Sequence, residues 1–363
     1  MAQRIPELDG VRGIAILAVM IHNLGAFSVW PFSDLTTYGW MGVDLFFVLS
    51  GFLITGILLD TKESGPYFKN FYARRCLRIW PLYYALLLSV FFVVPFIRPH
   101  EAPVIFKTAS PSWSYFLFLQ NFLVATPTGA FGPLGVTWSL AVEELFYLFW
   151  PMFVRFLSAS QLQRIAWAVI VLSPPLRWLL SRHNVLIYSN PFCRLDGLMA
   201  GALLALFVRD TRIPNKNIWF TRNAWWIFIG AAAAAVLSEH LAARWFTLSM
   251  TITGSAAFVY LALYSRASWL RNLLTNRFLT FTGVVSYGLY LLHKYPHDLM
   301  KAAHINLPPT AAFLVVSGCA YLLAVLSWNL LEMPFLKLKV LFEDPSRSVP
   351  KTKIPLPPSV SIG

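Results

Sequence analysis

A small set of ionisable side chains lies inside or at the edges of the long apolar stretches of this sequence. Hydrocarbon offers such groups no partner, so within a membrane they usually face an interior cavity and usually serve a function. We therefore expect them to converge on one cavity, where any chemistry would take place. They are Asp9, Arg12, His22, Asp44, Arg74, Arg75, Arg78, Glu143, Glu144, Arg194, Asp196, His293 and Glu332.

His22 is the member of this set best suited to proton transfer. It follows the start of the first apolar stretch, at residue 13, by nine residues. At about 1.5 Å per residue it would lie ~13 Å deep, near the middle of a hydrocarbon core ~30 Å thick. A neutral imidazole there can act as a general base, because its ordinary pKa is close to neutrality. The alternative is a histidine that packs and hydrogen-bonds across helices, and the residues alone favour neither.

A basic and aromatic segment, NFYARRCLRIWPLYY, carries the residues best suited to a phosphate-bearing ligand. Arg75 and Arg78 are three residues apart, so they share a helix face. Guanidinium groups match phosphate oxygens, and aromatic rings can stack on a base, so a nucleotide-bearing cofactor would fit. The alternative is an ordinary basic cluster at the cytoplasmic ends of membrane spans, which from the sequence alone is the more common case.

Charged pairs also open two later apolar stretches. Glu143 and Glu144 stand near the start of one, where a carboxylate could orient a histidine or complement a helix N-terminus. Glu144 fits the second role well, and Glu143 fits either. Arg194 and Asp196 open the other stretch, and a pair of this kind is often only interfacial.

The composition is that of a membrane protein. Apolar residues make up 57% of the 363 residues and charged residues only 12%, and the mean hydropathy is +0.61. A soluble domain carries about 25% charged residues, so this chain cannot cover a water-facing surface. The net charge of +13 does not indicate nucleic acid as a partner, because the basic residues form short clusters between apolar runs, as topology determinants do.

The apolar runs predict an all-α, polytopic bundle of about ten transmembrane helices with both termini cytoplasmic. Alternation of ten spans places 21 of the 29 Lys and Arg residues on one side and 8 on the other, and the richer side is expected to be cytoplasmic. A further run, 113–125, is too short to span and is predicted to be interfacial or re-entrant. The ten spans are predicted near residues 13–31, 40–59, 80–97, 138–157, 165–182, 191–208, 224–242, 246–265, 279–297 and 309–335.

Residues 1–340 are predicted to form one integral membrane domain, and 341–363, rich in Pro, Ser and Lys, a disordered cytoplasmic tail. Cys76, Cys193 and Cys319 lie far apart without metal-ligand spacing, so we expect free thiols and no metal site.

Seven motifs, read together, resemble the membrane acyltransferase 3 family, the O-acyltransferases of bacterial surface glycans. They occur in order between residues 5 and 336, over nearly the whole chain. Any one of them alone would be weak, but seven in order are specific. The motifs are LDGVRGIAIL, GVDLFFVLSGFLIT, RRCLRIWPLYY, TWSLAVEELFYLFWP, RLDGLMAGALLA, SYGLYLLHKYP and LEMPFLKL.

The resemblance implies a multi-pass protein of the bacterial inner membrane that transfers an acyl group, usually acetyl, from cytosolic acetyl-CoA. The implied acceptor is a hydroxyl of a carbohydrate or lipid-linked glycan on the opposite side of the membrane. The family's first-span histidine corresponds to His22, the arginine before it to Arg12, and its cofactor-side arginines to Arg75 and Arg78. The chain resembles the stand-alone members, without an added esterase-like domain.

The spacing before His22 departs from the family pattern. Nine residues separate Arg12 from His22 where the family commonly has ten, and Asn23 occupies the usual histidine place. At about 100° per residue, Arg12 and His22 would lie ~80° apart around a helix, against ~20° for the usual spacing. A bulge, or an Arg12 that precedes regular helix, would absorb the difference.

We therefore expect these residues to have distinct roles in acyl transfer. CoA docks on Arg75 and Arg78, and His22 deprotonates the acceptor hydroxyl or relays the acyl group. Glu143 or Asp44 orients the imidazole, while Arg12 and Arg194 hold phosphate or polarise the thioester carbonyl. The alternative function is a transporter or flippase that moves an acyl or glycolipid donor without chemistry, although no inverted repeat is evident.

Overall fold

The computed structural model describes residues 5–24, 33–97, 110–123, 133–210 and 216–342. Within these ranges the chain is helical and forms no strand. The α-helices are α1 Pro6–Leu24, α2 Ser33–Tyr38, α3 Gly42–Asp60, α4 Tyr67–Leu88, α5 Val94–Ile97, α6 Ser112–Phe116, α7 Thr137–Phe156, α8 Ala159–Arg182, α9 Pro191–Arg209, α10 Lys216–His240, α11 Arg244–Tyr264, α12 Ser268–Leu274, α13 Arg277–Val284, α14 Ser286–Leu292, α15 Lys294–Ala302, α16 Pro309–Ser327 and α17 Met333–Lys337. Short 3₁₀ turns lie at Gly39–Met41, Gln120–Phe122, Pro133–Val136 and Leu338–Phe342, and π turns at Ser89–Val93 and Trp328–Glu332.

The prediction of an all-α, multi-pass membrane protein is confirmed. Six helical stretches among the described residues are long and apolar enough to cross a membrane. Helices also lie at the other predicted spans, but the count of ten and the cytoplasmic termini stay predictions. The six stretches are Thr36–Asp60, Tyr67–Ile97, Pro191–Arg209, Phe220–His240, Arg244–Tyr264 and Pro309–Phe342.

The first helix begins seven residues earlier than the predicted span. Pro6 starts α1 with a backbone angle already suited to a helix, and Glu7 and Asp9 complement the partial positive charge of its N-terminus. Arg12 therefore lies inside regular helix, and His22 lies two residues before the helix end instead of at its middle. The last part of the predicted span, 25–31, lies outside the described residues.

Glycines bring the helices around α1 and α3 into close contact. A methyl group at Gly10 would overlap the Leu274 carbonyl, and one at Gly51 would overlap the Leu198 carbonyl. Small residues at such crossings are how membrane helices pack tightly without large side chains. α1 thus packs beside α12 and α13, and α3 packs beside α9.

Ion pairs and backbone contacts fix the relative directions of the central helices. Asp44 pairs with Arg194 near the starts of α3 and α9, and Asp60 pairs with Arg209 at their ends, so the two helices are parallel. The turn before α3 contacts the last turn of α1, so α1 and α3 are antiparallel. We call the end of the bundle where α1 begins the proximal end, and the end where α1 stops the distal end.

The described part of the short apolar run, up to residue 123, forms α6 and one 3₁₀ turn. α4 holds it in place, because Tyr83 and Tyr84 donate hydrogen bonds to the Tyr115 and Phe116 carbonyls at 2.8 and 3.0 Å. A five-residue helix covers only ~8 Å at 1.5 Å per residue, far too little to span a membrane. The predicted tail lies outside the described residues from residue 343 onward.

Candidate active site

A cavity of about 130 Å³ opens among α1, α3, α4, α7 and α14. Three predicted cofactor-binding residues, Arg12, Arg75 and Arg78, line it together with the predicted catalytic residue Glu143. The structure therefore brings four of the seven predicted site residues to one place. Tyrosine rings and serines complete the wall, including Ser50, Ser139, Tyr147, Tyr287 and Tyr290.

Arg75 faces the cavity and forms no direct ion pair among the described residues, although Glu143 and Glu144 interact with it at longer range. Its guanidinium carbon lies 5.4 Å from the ring centroid of Tyr147 and 5.9 Å from that of Phe71. Arginine held on aromatic faces keeps its charge and most of its N–H donors available. Arg75 is thus the cavity's most available group for an anion.

Arg78 is one turn further along α4 and is partly neutralised. Its Nη1 lies 3.6 Å from the buried Glu332 carboxylate, and its guanidinium packs over the Trp328 and Tyr287 rings. Arg12 has a similar local partner, since Asp9 lies one turn earlier on α1 at 3.2 Å. Asp9 and Glu332 therefore pair with two of the three guanidinium groups, and Glu143 in the same wall interacts with Arg75 at longer range. The three guanidinium groups still offer N–H donors suited to an anion.

Glu143 is held in the cavity wall by hydroxyl groups. It accepts hydrogen bonds from Ser50 at 2.8 Å and from Tyr147 at 2.9 Å. Tyr147 lies one turn later on α7, and Ser50 lies on α3, so two helices fix the carboxylate. Within the described part of the chain no contact joins Glu143 to His22, and its predicted role in orienting that imidazole stays a prediction.

Asp44 and Arg194 lie outside the cavity wall, in a buried charge network. The two side chains form a fully buried ion pair, and Thr251 donates a further hydrogen bond to Asp44. Phe47 lines the cavity, and its ring centroid is 5.4 Å from the Arg194 guanidinium carbon. The structure does not bring Asp44 to His22 or Arg194 to the cavity, because an unpaired charge in the interior costs several kcal/mol, about 3–5, and the two satisfy each other.

Arg177, which the sequence reasoning assigned to no site, completes this network. It pairs with Asp196 and donates hydrogen bonds to the Cys193 carbonyl at 2.9 Å and to the Ser249 hydroxyl at 3.0 Å. Its side chain is fully buried. In the sequence, Arg177 differs from its surroundings as a single arginine among the apolar residues of α8, five positions before the helix ends. That isolated charge could have marked it as a buried, paired residue.

His22 lies at the distal end of α1 and is exposed. Its Nδ1 is 2.8 Å from the Thr36 carbonyl oxygen. A carbonyl can only accept, so Nδ1 carries a proton, and in the neutral imidazole Nε2 then keeps its lone pair. In the described structure no group occupies Nε2, and His22 does not line the arginine cavity. His22 thus lies near the distal end of α1, and its predicted depth at mid-membrane stays a prediction.

Asn23 and His293 form a pair that the sequence reasoning did not predict as a site. The Asn23 Nδ2 atom lies 3.1 Å from His293 Nε2. The His293 side chain is fully buried, and its ring centroid is 6.3 Å from that of Tyr290, which lines the cavity. The Tyr290 hydroxyl is anchored to Ser139 at 2.6 Å. The pair thus adjoins the distal wall of the cavity.

The described residues contain no cluster of His, Cys, Asp and Glu that could hold a metal ion. Cys76, Cys193 and Cys319 are free thiols.

Comparisons with known proteins agree with this architecture. A family model described as an acyltransferase domain matches residues 5–329. Peptidoglycan O-acetyltransferase OatA of Listeria monocytogenes serovar 1/2a (strain ATCC BAA-679 / EGD-e) is 29% identical over 365 residues, covering 92% of this chain and 56% of that protein. No solved structure matches the chain significantly.

Two further relatives carry the word putative in their names. "Putative peptidoglycan O-acetyltransferase YrhL" of Bacillus subtilis (strain 168) is 30% identical over 359 residues, covering 91% of this chain and 54% of the relative. A "Putative O-acetyltransferase" of Staphylococcus aureus (strain COL) is 28% identical over 366 residues, covering 92% and 57%. The chain therefore spans little more than half the length of the curated relatives it matches.

Proposed function

The chain belongs to the acyltransferase family whose model matches residues 5–329, and we propose that this acyltransferase moves acetyl from cytosolic acetyl-CoA to a glycan hydroxyl. The observation that carries the proposal is the cavity lined by Arg12, Arg75 and Arg78. Three guanidinium groups on one cavity, of which Arg75 forms no direct ion pair, suit the phosphates of CoA. Aromatic rings beside Arg75 and Arg78 suit stacking against its adenine base.

The size of the cavity limits which part of the donor it receives. Pockets that enclose a whole small-molecule ligand measure roughly 300–1,000 Å³, and this one measures about 130 Å³. We assign the cavity to the acyl-pantetheine end, with the nucleotide and its phosphates at the proximal, arginine-bearing side.

His22 is the base in this proposal, because the bond to Thr36 selects the neutral tautomer whose Nε2 can accept a proton. The acceptor hydroxyl oxygen attacks the thioester carbonyl carbon, and His22 Nε2 takes the hydroxyl proton. The carbon–sulfur bond then breaks, the acetyl ester forms, and the proton passes to the CoA thiolate, which leaves as the thiol.

We also propose which end of the bundle is cytoplasmic and which class of acceptor the protein uses. The Lys and Arg asymmetry favours the proximal end as the cytoplasmic one, so donor and acceptor approach His22 from opposite ends, in the inner membrane of a bacterium. The names of two relatives specify peptidoglycan, which favours a carbohydrate acceptor, free or lipid-linked, at the distal end.

Binding of CoA to the purified protein tests the donor site. Arg75→Gln removes a cavity charge that forms no direct ion pair in the described structure, and we expect it to weaken CoA binding at least about tenfold, since a charge-assisted hydrogen bond contributes about 1.5–3 kcal/mol. Arg164→Gln is the matched control, because Arg164 is exposed and does not line the cavity. Calorimetry measures the affinity. Equal CoA affinity of Arg75→Gln and the wild type would rule out the proposed donor site.

A further inference from the structure

We propose that the side-chain amide of Asn23, held in place by His293, donates a hydrogen bond to the acyl carbonyl oxygen as transfer takes place. The inference rests on the proposed acyl transfer and gives a role in it to Asn23, which does not line the cavity and to which the sequence assigned no role. In this account His293 is a positioning residue and Asn23 is the residue that touches the substrate.

Helix geometry puts Asn23 on the face that the cavity uses. Asn23 follows Arg12 by eleven residues within the continuous helix α1. At about 100° per residue the two lie only ~20° apart around the axis, and Arg12 lines the cavity. His22 lies ~80° from Arg12 and instead meets Thr36. His22 and Asn23 are adjacent at the end of α1, but their side chains therefore point in different directions.

The hydrogen bonds of His293 determine which atom of Asn23 is free. His293 Nδ1 lies 3.1 Å from the Leu289 carbonyl oxygen and 2.9 Å from that of Tyr290. Both are acceptors, so Nδ1 carries the proton and Nε2 can only accept. The atom of Asn23 that faces Nε2 is therefore its amide nitrogen, at 3.1 Å. This bond fixes the orientation of the amide and uses one of its two N–H groups.

The second N–H of Asn23 is the donor that the proposal uses. Within the described ranges no other group occupies it, and Asn23 is only half-buried at the distal end of α1. His293 packs beside Tyr290, whose ring closes the cavity at this end. A thioester carbonyl that emerges from the cavity past Tyr290 would meet Asn23 next to His22. An amide fixed beforehand can stabilise the negative charge that develops on that oxygen.

Asn23→Asp tests this role with little change in shape. Aspartate keeps the size of the side chain but cannot donate from its carboxylate, so kcat should fall about 10²–10³-fold, the effect of removing one oxyanion donor. The KM for acetyl-CoA should change little, because the bond forms only in the transition state. The assay measures CoA thiol released by the full chain in proteoliposomes, with penta-N-acetylchitopentaose as acceptor. Asn329→Asp is the control, since Asn329 is exposed near the proximal end and lines only a separate surface groove.

Variants of His293 separate positioning from direct proton transfer. His293→Leu should lower kcat, and His293→Gln should recover part of it, because the Gln oxygen can accept from Asn23. If His293 acts only through Asn23, the double variant Asn23→Asp/His293→Leu should be no slower than Asn23→Asp alone.

Three results would overturn the inference. They are an Asn23→Asp kcat within threefold of the wild type, a double variant whose loss is the product of the single losses, and a His293→Gln variant no better than His293→Leu. Acceptor-dependent CoA release by the wild type with any of these would overturn the inference and leave the proposed function standing. No acceptor-dependent release by the wild type would overturn both.

Discussion

At the scale of single residues, a shift of one position separates two candidate groups at the end of α1. His22 meets the Thr36 carbonyl and Asn23 meets His293, because successive residues of a helix point about 100° apart. The sequence predicted the angular offset from Arg12 correctly once α1 is a regular helix through both residues. It did not predict that Asn23 has a buried histidine as its partner, because that contact joins residues 270 positions apart.

Replacement of His22 tests the proposed base. His22→Ala removes the imidazole that Thr36 holds in place, and we expect acceptor-dependent CoA release to fall by about 10²–10⁴-fold, the usual contribution of a general base. CoA affinity should stay unchanged, because His22 does not line the cavity. A rate close to that of the wild type, in protein that binds CoA normally, would rule out His22 as the base.

The buried pair Asp44–Arg194 predicts a stability effect. Asp44→Asn leaves the Arg194 charge unpaired in the interior, and we expect a loss of about 3–5 kcal/mol in the free energy of unfolding. The double variant Asp44→Leu/Arg194→Leu should lose less than Asp44→Asn, because no unpaired charge remains. Thermal unfolding in detergent measures both, and an Asp44→Asn protein as stable as the wild type would contradict the pairing.

At the scale of elements, close helix crossings position the site. The apolar runs predicted where most helices lie, but α1 begins at Pro6 because its polar first turn suits a helix start. The apolar runs did not indicate which helices pack against each other. Gly10 and Gly51 mark two crossings only when the partner carbonyls of Leu274 and Leu198 are known.

Gly51→Ala tests the crossing of α3 and α9. The added methyl group overlaps the Leu198 carbonyl, and overpacking of this kind costs about 1–3 kcal/mol. Gly230→Ala is the matched control, because no atom lies within 4 Å of a methyl group added there. The midpoint of thermal unfolding should fall for Gly51→Ala only, and equal midpoints for the two variants would show that the helices do not approach as described.

At the scale of the whole molecule, composition alone predicted the class of protein. Few charges and a high apolar fraction leave no other solution than a membrane bundle. The convergence of Arg12, Arg75, Arg78 and Glu143 on one cavity followed from the cost of buried charge. Asp44 and Arg194 lie outside this cavity, because a buried ion pair satisfies both charges as well as a cavity does, and their predicted roles stay predictions.

Labelling of single cysteines tests the proposal that the proximal end of the bundle is cytoplasmic. Asn184→Cys lies in the exposed distal turn between α8 and α9, and Gly65→Cys lies in the exposed proximal turn before α4. In a background without the three native cysteines, a membrane-impermeant maleimide should label Asn184→Cys in whole cells, and Gly65→Cys only after the inner membrane is opened. Labelling of Gly65→Cys in whole cells would reverse the orientation.

The most direct test of the central claim is the fate of the acetyl group. Purified full chain is incubated with labelled acetyl-CoA and penta-N-acetylchitopentaose, and mass spectrometry quantifies the acetyl ester on the sugar alongside free CoA. The account predicts one ester formed for each CoA released, and loss of both products in Arg75→Gln at acetyl-CoA concentrations that saturate only the wild type. Release of CoA without ester on the sugar, or no release at all, would contradict it.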